Sequence, residues 1–260
     1  MKGKVYIVGA GPGAADLLTL RAASVLRVAE VVLHDDLVSQ EVLDMAPHDA
    51  HVMNVGKRCG HRGASQELIN ALMVGYVQDE KRVVRLKSGD PAVFGRLGEE
   101  LDALRKANVS FEIVPGITAA AAAAASANVT LTDRRVASAL VLLTAHNARQ
   151  ATLSESSVDA AHTTFVVYMP GSDYGRTAKE LIELGLQASA PCVLVSHAGR
   201  ATEKVHPTTL AGLGGIPGVA APAVLIVGEV ARADGFSQST SFLKEQNESV
   251  NRAIENSAHQ

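Results

Sequence analysis

The feature that most constrains this chain is the rhythm of its first 115 residues, where short runs rich in Val and Ile alternate with helical stretches. Residues 5–8, 31–33, 52–55, 83–86 and 111–114 read as strands, and residues 17–28, 66–77 and 96–106 read as helices. The strand runs are apolar at successive positions, so neither sheet face is left to solvent. A continuous apolar strand followed by a helix implies a parallel sheet covered on both sides. Such a sheet presents ligands at the carboxyl ends of its strands.

The rhythm changes at Pro115-Gly116, a turn signal. Thr118 then stands as a helix cap before the alanine-rich stretch 117–127, which reads as a short buried helix. Strands are expected at 139–144, 164–168, 192–196 and 223–227, a helix at 177–186, a shorter strand at 203–206, and a turn or helix at 208–213. More strand than helix in this half implies a mixed sheet. The expected organisation is an α/β domain over 1–115, a second α/β domain over 116–235, and a polar tail over 236–260.

Composition excludes several function classes. The net charge is −3 and aromatics are 3% with no Trp, which argues against a basic, base-stacking nucleic-acid binder. No apolar stretch reaches the ~20 residues of a membrane span, and Met1-Lys2-Gly3-Lys4 runs into a strand too short for a secretory core. Cys59 and Cys192 have neither metal spacing nor a disulfide pattern, which fits a reducing cytoplasm. His34, His61 and His146 also lack ligand spacing, so no metal is expected.

Gly9-Ala10-Gly11-Pro12-Gly13-Ala14 follows the first strand and nearly matches the dinucleotide fingerprint. The mechanism of that fingerprint argues against it here. Pyrophosphate binding needs backbone N–H groups at a helix N-terminus; Pro12 has none, and the helix starts only after Asp16. A plain tight turn is the simpler reading of the glycines.

Further motifs follow in order: His34-Asp35-Asp36-Leu37-Val38-Ser39, Gly56-Lys57-Arg58, Lys87-Ser88-Gly89-Asp90-Pro91-Ala92-Val93-Phe94-Gly95-Arg96, Glu99-Glu100, Val114-Pro115-Gly116-Ile117-Thr118-Ala119 and Thr132-Asp133-Arg134. The ordered set, over roughly residues 4–230, resembles the tetrapyrrole methylase superfamily and within it the uroporphyrinogen-III C-methyltransferases. The resemblance implies a two-domain α/β fold with its active site in the inter-domain cleft, a homodimer, and S-adenosylmethionine (SAM) as methyl donor. It also implies no metal, no nucleic acid and no membrane partner.

Carried over by position, the donor contacts are Pro12, Ser88, Gly89, Asp90, Val93, Thr118, Ala119, Met169 and Ala198. Gly89 suits close backbone approach, and Met169 offers a soft apolar surface, although core filling explains a Met equally well. Asp35 resembles the family's proton acceptor and Lys57 its proton donor; a turn residue and a solvated loop charge are the simpler readings. Arg96, Glu99 and Arg134 match positions near the tetrapyrrole. A guanidinium stays protonated and makes an awkward base, so Arg96 and Arg134 read as carboxylate clamps, with Arg58 and Arg62 on the same rim. Surface salt bridges to Glu99 or Asp133 are the alternative.

The resemblance has departures. Ser88, Leu97, Ala145 and Pro170 stand where glycine is usual. Two rivals remain open: a later precorrin C-methyltransferase, and a non-catalytic SAM- or dinucleotide-binding module. The pathway receiving the product (siroheme, cobalamin or haem d1) is also open.

Overall fold

The computed structural model describes residues 3–56, 64–145 and 159–232. Two compact units are distinguished. One is drawn from Met1–Ala123, Ser196–Lys204 and Ala220–Ala223, the other from Ala124–Val195, Val205–Val219 and Val224–Gln260.

The first unit is built on strands β1 (Lys4–Gly9), β2 (Val31–His34), β3 (His51–Asn54), β4 (Arg82–Lys87) and β5 (Phe111–Val114). They form one sheet in the order β3-β2-β4-β1-β5, parallel throughout. Helices α1 (Leu20–Leu26) and α2 (Gln40–Leu43) pack with one face, where Val8, Leu26, Val32, Val42, Val84 and Leu86 meet. Helices α3 (Gln66–Gln78) and α4 (Leu97–Lys106) pack with the other, where Ile7, Leu33, Ile69, Met73, Val83 and Leu104 meet. Alternation along β1 and β4 sends successive side chains to opposite cores. Each fully buried aliphatic side chain contributes roughly 1.5–3 kcal/mol.

Helix α5 (Ala119–Ser126) follows, with Ala120, Ala122, Ala123 and Ala124 buried. Beyond it lie β6 (Ala139–Thr144), β7 (Thr163–Tyr168), α6 (Tyr174–Glu183), β8 (Pro191–Ser196), β9 (Lys204–Thr209) and β10 (Ala223–Val227). Their sheet runs β6-β7-β10-β8-β9 and is mixed, with β6 parallel and β10 antiparallel to β7. Helix α6 buries Tyr174, Thr177, Ala178 and Leu181, an i, i+3, i+4, i+7 stripe.

The expected strands are present, and four elements differ. Helix α1 starts at Leu20, three residues later than expected, after a 3₁₀ turn at Ala15–Leu17. Helix α2 was not foreseen: a four-residue helix is too short to show periodicity, although Ser39 caps it through Val42 N–H at 3.4 Å. Helix α6 starts earlier than expected because Asp173 accepts from Arg176 N–H at 3.0 Å. Strand β9 runs through Pro207 to Thr209; it is an edge strand, where a missing N–H is tolerated.

Candidate functional site

The described motifs of the first half gather at one end of the parallel sheet. The carboxyl ends of β1 and β5 meet in Gly9 and Gly116, which leave no room for side chains. A Cβ on Gly9 would stand 2.6 Å from Gly116 Cα, and one on Gly116 would stand 2.3 Å from Gly89 O. Gly11 and Gly89 exchange backbone hydrogen bonds at 3.2 and 2.8 Å. Asp90 locks the loop after β4, its carboxylate accepting from Ala92 N–H at 2.8 Å and Gly116 N–H at 3.0 Å.

The glycine-rich turn is not a phosphate cradle. Ala10 N–H donates to Lys87 O at 2.7 Å and Gly11 N–H donates to Gly89 O. With Pro12 lacking a donor, three successive residues offer no free N–H. Helix α1 begins only at Leu20, capped by the Thr19 side chain.

A buried charge network lies beside this loop cluster. Arg85 and Lys87 alternate with Val84 and Leu86 along β4 and point toward α4. Glu100 in the first turn of α4 meets both: its Oε1 accepts from Arg85 Nε at 2.9 Å and from Lys87 Nζ at 2.8 Å. Arg85, Lys87 and Glu100 are 3%, 3% and 0% exposed, so the ion pairs are fully desolvated. The Arg85 fork also donates to Leu33 O and Leu86 O and, through Nη2, to Asp35 Oδ1. Asp35 Oδ2 accepts from Ser88 N–H at 3.3 Å. Burial pushes the Lys87 ammonium below the usual lysine range, and the charge of Arg85 adds to this. Burial also opposes the Arg85 charge, but Asp35 and Glu100 outweigh it and raise the guanidinium.

Asp35, Lys87, Arg85, Phe94 and Arg96 line a cavity of about 180 Å³, walled by Val55, Gly56, Gln66, Ile69 and Gly95. Phe94 and Arg96 both have left-handed backbones, φ 52° and 53°, and Phe94 is exposed. Left-handed non-glycine residues of this kind gather at functional sites. Ser88 Oγ is buried without a hydrogen-bond partner. Gly89, at φ 68°, has only Ala119 N at 3.8 Å and Thr118 Cα at 4.0 Å near its absent side chain. This loop therefore keeps an unsatisfied polar atom, and nothing crowds the Gly89 position closer than ordinary van der Waals contact.

The structure brings Asp35, Ser88, Gly89, Asp90, Val93, Arg96, Glu99, Thr118, Ala119, Pro12 and Ala198 into the first unit. Arg96 holds Glu99 with two hydrogen bonds, at 2.8 and 2.6 Å, on a half-exposed surface. Glu99 raises the Arg96 guanidinium further, which suits a fixed cation and not a base. Arg134 and Met169 belong to the second unit. Arg134 is exposed; the carboxylate of Asp133 is held by Arg135, not by Arg134. Met169 is 50% exposed at φ 50°, so it is not core filling. Lys57, Arg58, Cys59, His61, Arg62 and His146 lie outside the described residues. Among the described residues no cluster of His, Cys, Asp or Glu could hold a metal ion, and no helix is long and apolar enough to cross a membrane.

Arg85, Lys87 and Glu100 were not foreseen as site residues. Their signal was present: Arg85 and Lys87 alternating with apolar residues along a central strand, and a carboxylate opening the next helix. Buried charges persist only when paired.

A parallel α/β unit with loops, a cavity and a charge network at its strand ends defines a small-molecule-binding protein of the open-sheet class. The family model of the tetrapyrrole (corrin/porphyrin) methylases matches residues 4–214. Siroheme synthase from Zymomonas mobilis is 42% identical over 231 residues, covering 88% of this chain and 49% of that protein. The chain thus spans about half the length of the curated relatives it matches. Among solved structures, uroporphyrin-III C-methyltransferase from Thermus thermophilus superposes with TM-score 0.75 at 36% identity, covering 90% of this chain and 96% of that one. It has also been crystallised with S-adenyl homocysteine (TM-score 0.72). A cobalt precorrin-4 methyltransferase gives TM-score 0.73 at 29% identity, covering 88% and 96%. The chain belongs to the tetrapyrrole methylase family.

Proposed function

We propose that the protein transfers methyl groups from SAM to C2 and C7 of uroporphyrinogen III, giving precorrin-2 by way of precorrin-1. The observation that carries this reading is the Asp35 carboxylate. It is gripped by the Arg85 fork and by Ser88 N–H, and it faces a cavity that also holds Lys87 and Arg96.

SAM supplies an electrophilic methyl on a sulfonium and leaves as S-adenosylhomocysteine. The ring carbon forms the new C–C bond as the S–C bond breaks, and one proton must then leave the macrocycle. Asp35 is the acceptor for that proton; Lys57, the proposed donor, delivers a proton only where a second one is lost elsewhere on the ring, so each methyl transferred releases one net proton. Positioning both reactants supplies most of the acceleration, since held geometry is worth ~7–11 kcal/mol. The loop Ser88, Gly89, Asp90 and Val93, with Pro12, Thr118, Ala119, Ala198 and Met169, holds the donor. The unpartnered Ser88 Oγ and the left-handed backbone of Gly89 support this assignment. Asp90 acts by shaping the loop, because both its oxygens are taken by backbone.

Arg96, Arg134 and Arg58 are the clamps we assign to the substrate's carboxylates. Arg96 clamps one by exchanging Glu99 for it. An exposed pair of this kind contributes little, so the exchange is accessible.

The test is anaerobic incubation with uroporphyrinogen III and SAM, read by mass spectrometry. Two added methyl groups and two equivalents of S-adenosylhomocysteine are expected. Asp35→Asn lowers kcat by about 10²–10⁴ if Asp35 carries the proton. No methylation of uroporphyrinogen III, with methylation of a later precorrin, would replace this substrate by the one the cobalt precorrin-4 enzyme resembles.

A further inference from the structure

Arg200 follows β8 in a turn that packs within the first unit. The turn is rigidly built. His197 N–H donates to Pro222 O at 2.9 Å, Arg200 N–H to His197 O at 3.0 Å, and Gly199 N–H to Glu203 Oε2 at 2.8 Å. The His197 ring lies between Thr202 Oγ1 and Ala221 O, at 2.8 and 2.7 Å. From this base the guanidinium reaches two loops. Its Nε donates to Pro12 O at 3.2 Å, and its Nη2 donates to Leu37 O at 2.6 Å.

Two glycines make room for the arrangement. A Cβ on Gly13 would stand 2.3 Å from Arg200 Nε, and one on Gly199 would stand 2.9 Å from Pro12 Cγ and 2.8 Å from Leu17 Cδ1. Ser39 Oγ fastens the adjoining Gly13 carbonyl at 2.5 Å. The carbonyls of Pro12, Gly13 and Leu37 are thus all bound by side chains.

We infer that Arg200 is a positioning residue of the donor-binding site: its fork ties the loop carrying Pro12 to the loop after β2, and its own turn carries Ala198. This rests on the reading of Pro12 and Ala198 as donor contacts. A planar fork reaches two carbonyls in two directions at once, which a lysine ammonium on a single flexible stem does not reproduce. Without it, Pro12 and Ala198 keep their places in the sequence and lose their fixed spacing. The donor then binds only by ordering them first, which weakens its affinity.

Calorimetric titration with S-adenosylhomocysteine tests this on the whole chain. Arg200→Met is expected to bind roughly tenfold more weakly, the scale of one charge-assisted hydrogen bond to a carbonyl. Arg200→Lys should fall between it and the unaltered protein. In turnover assays the KM for SAM rises, while kcat at saturating SAM and the KM for the tetrapyrrole stay near their starting values. A purely structural Arg200 would lower the melting temperature without this split. Wild-type affinity in Arg200→Met overturns the inference. If that variant does not fold, Arg200→Lys decides: wild-type melting with weaker binding supports it, and wild-type binding overturns it. An unaltered protein that fails to bind S-adenosylhomocysteine at all would instead remove the donor reading, and Arg200's role would go with it.

Discussion

At the scale of single residues, Glu100 is the carboxylate that both buried cations of the site share. One of its oxygens takes two cations while the other, also buried, has no hydrogen-bond partner. Replacing it by Gln leaves Arg85 and Lys87 buried with less negative charge, and breaking such a pair costs about 3–5 kcal/mol. Lys87→Met should cost less. The Lys87 ammonium is already disfavoured by burial and by Arg85, so removing it relieves part of that penalty. Urea unfolding of both variants checks the order; an equal or larger loss in Lys87→Met would refute this account. Cys192 offers a second test. It is fully buried, and desolvation pushes its thiol up to about 12. The thiolate is the reactive form, so site-resolved labelling at neutral pH should leave Cys192 unmodified until the chain is unfolded. Rapid native labelling at this position would contradict its burial.

At the scale of elements, the glycines separate into those the site requires and those it does not. Gly116→Ala sets a methyl 2.3 Å from Gly89 O and 2.8 Å from Gly9 Cα, where only backbone can yield. Overpacking of this kind costs about 1–3 kcal/mol or more, and the displaced loops should weaken S-adenosylhomocysteine binding. Gly75, inside α3, has nothing within 4 Å of the added methyl. Gly75→Ala should gain roughly 0.5–1 kcal/mol through helix propensity. Opposite signs in thermal melts are the expected result. Such contrasts also show what a sequence carries. The strands of the first unit were legible because β-branched runs between helices have one stable solution. Asp35, Ser88 and Gly89 came instead from the family resemblance, to which their place at strand ends lent support. The role of Gly116 was not legible, since its neighbours Gly9 and Gly89 come from strands far away in the chain. Arg200 was hidden for the same reason: its partners Pro12 and Leu37 lie well over a hundred residues earlier. Helix α2 was hidden by shortness, and the extent of β9 by a proline that only an edge strand accepts.

At the scale of the whole molecule, the surface charges set how the fold answers acid. Among the described residues five carboxyls sit below their ordinary range, each for a local reason. Arg82 N–H donates to Glu30, Arg96 grips Glu99, Lys4 and Arg21 grip Glu112, and His162 with Ala161 N–H holds Asp159. Arg135 brings Asp133 down to about 2. Because these folded values lie below the unfolded ones, the unfolded chain binds more protons once the pH drops below about 4.5. Stability from these pairs is therefore complete above that point and is lost as the pH falls toward about 2, where Asp133 protonates. All five groups face solvent, so the decline should be gradual, and 1 M salt should flatten it by screening. The Glu100 network behaves otherwise: it is buried, and salt does not reach it. Melting curves from pH 5 to pH 2 at low and high salt separate the two contributions, and Asp133→Asn should remove the lowest part of the slope. A melting temperature that held constant to pH 2, or that fell equally steeply in 1 M salt, would mean that these surface pairs do not set the acid limit of the fold.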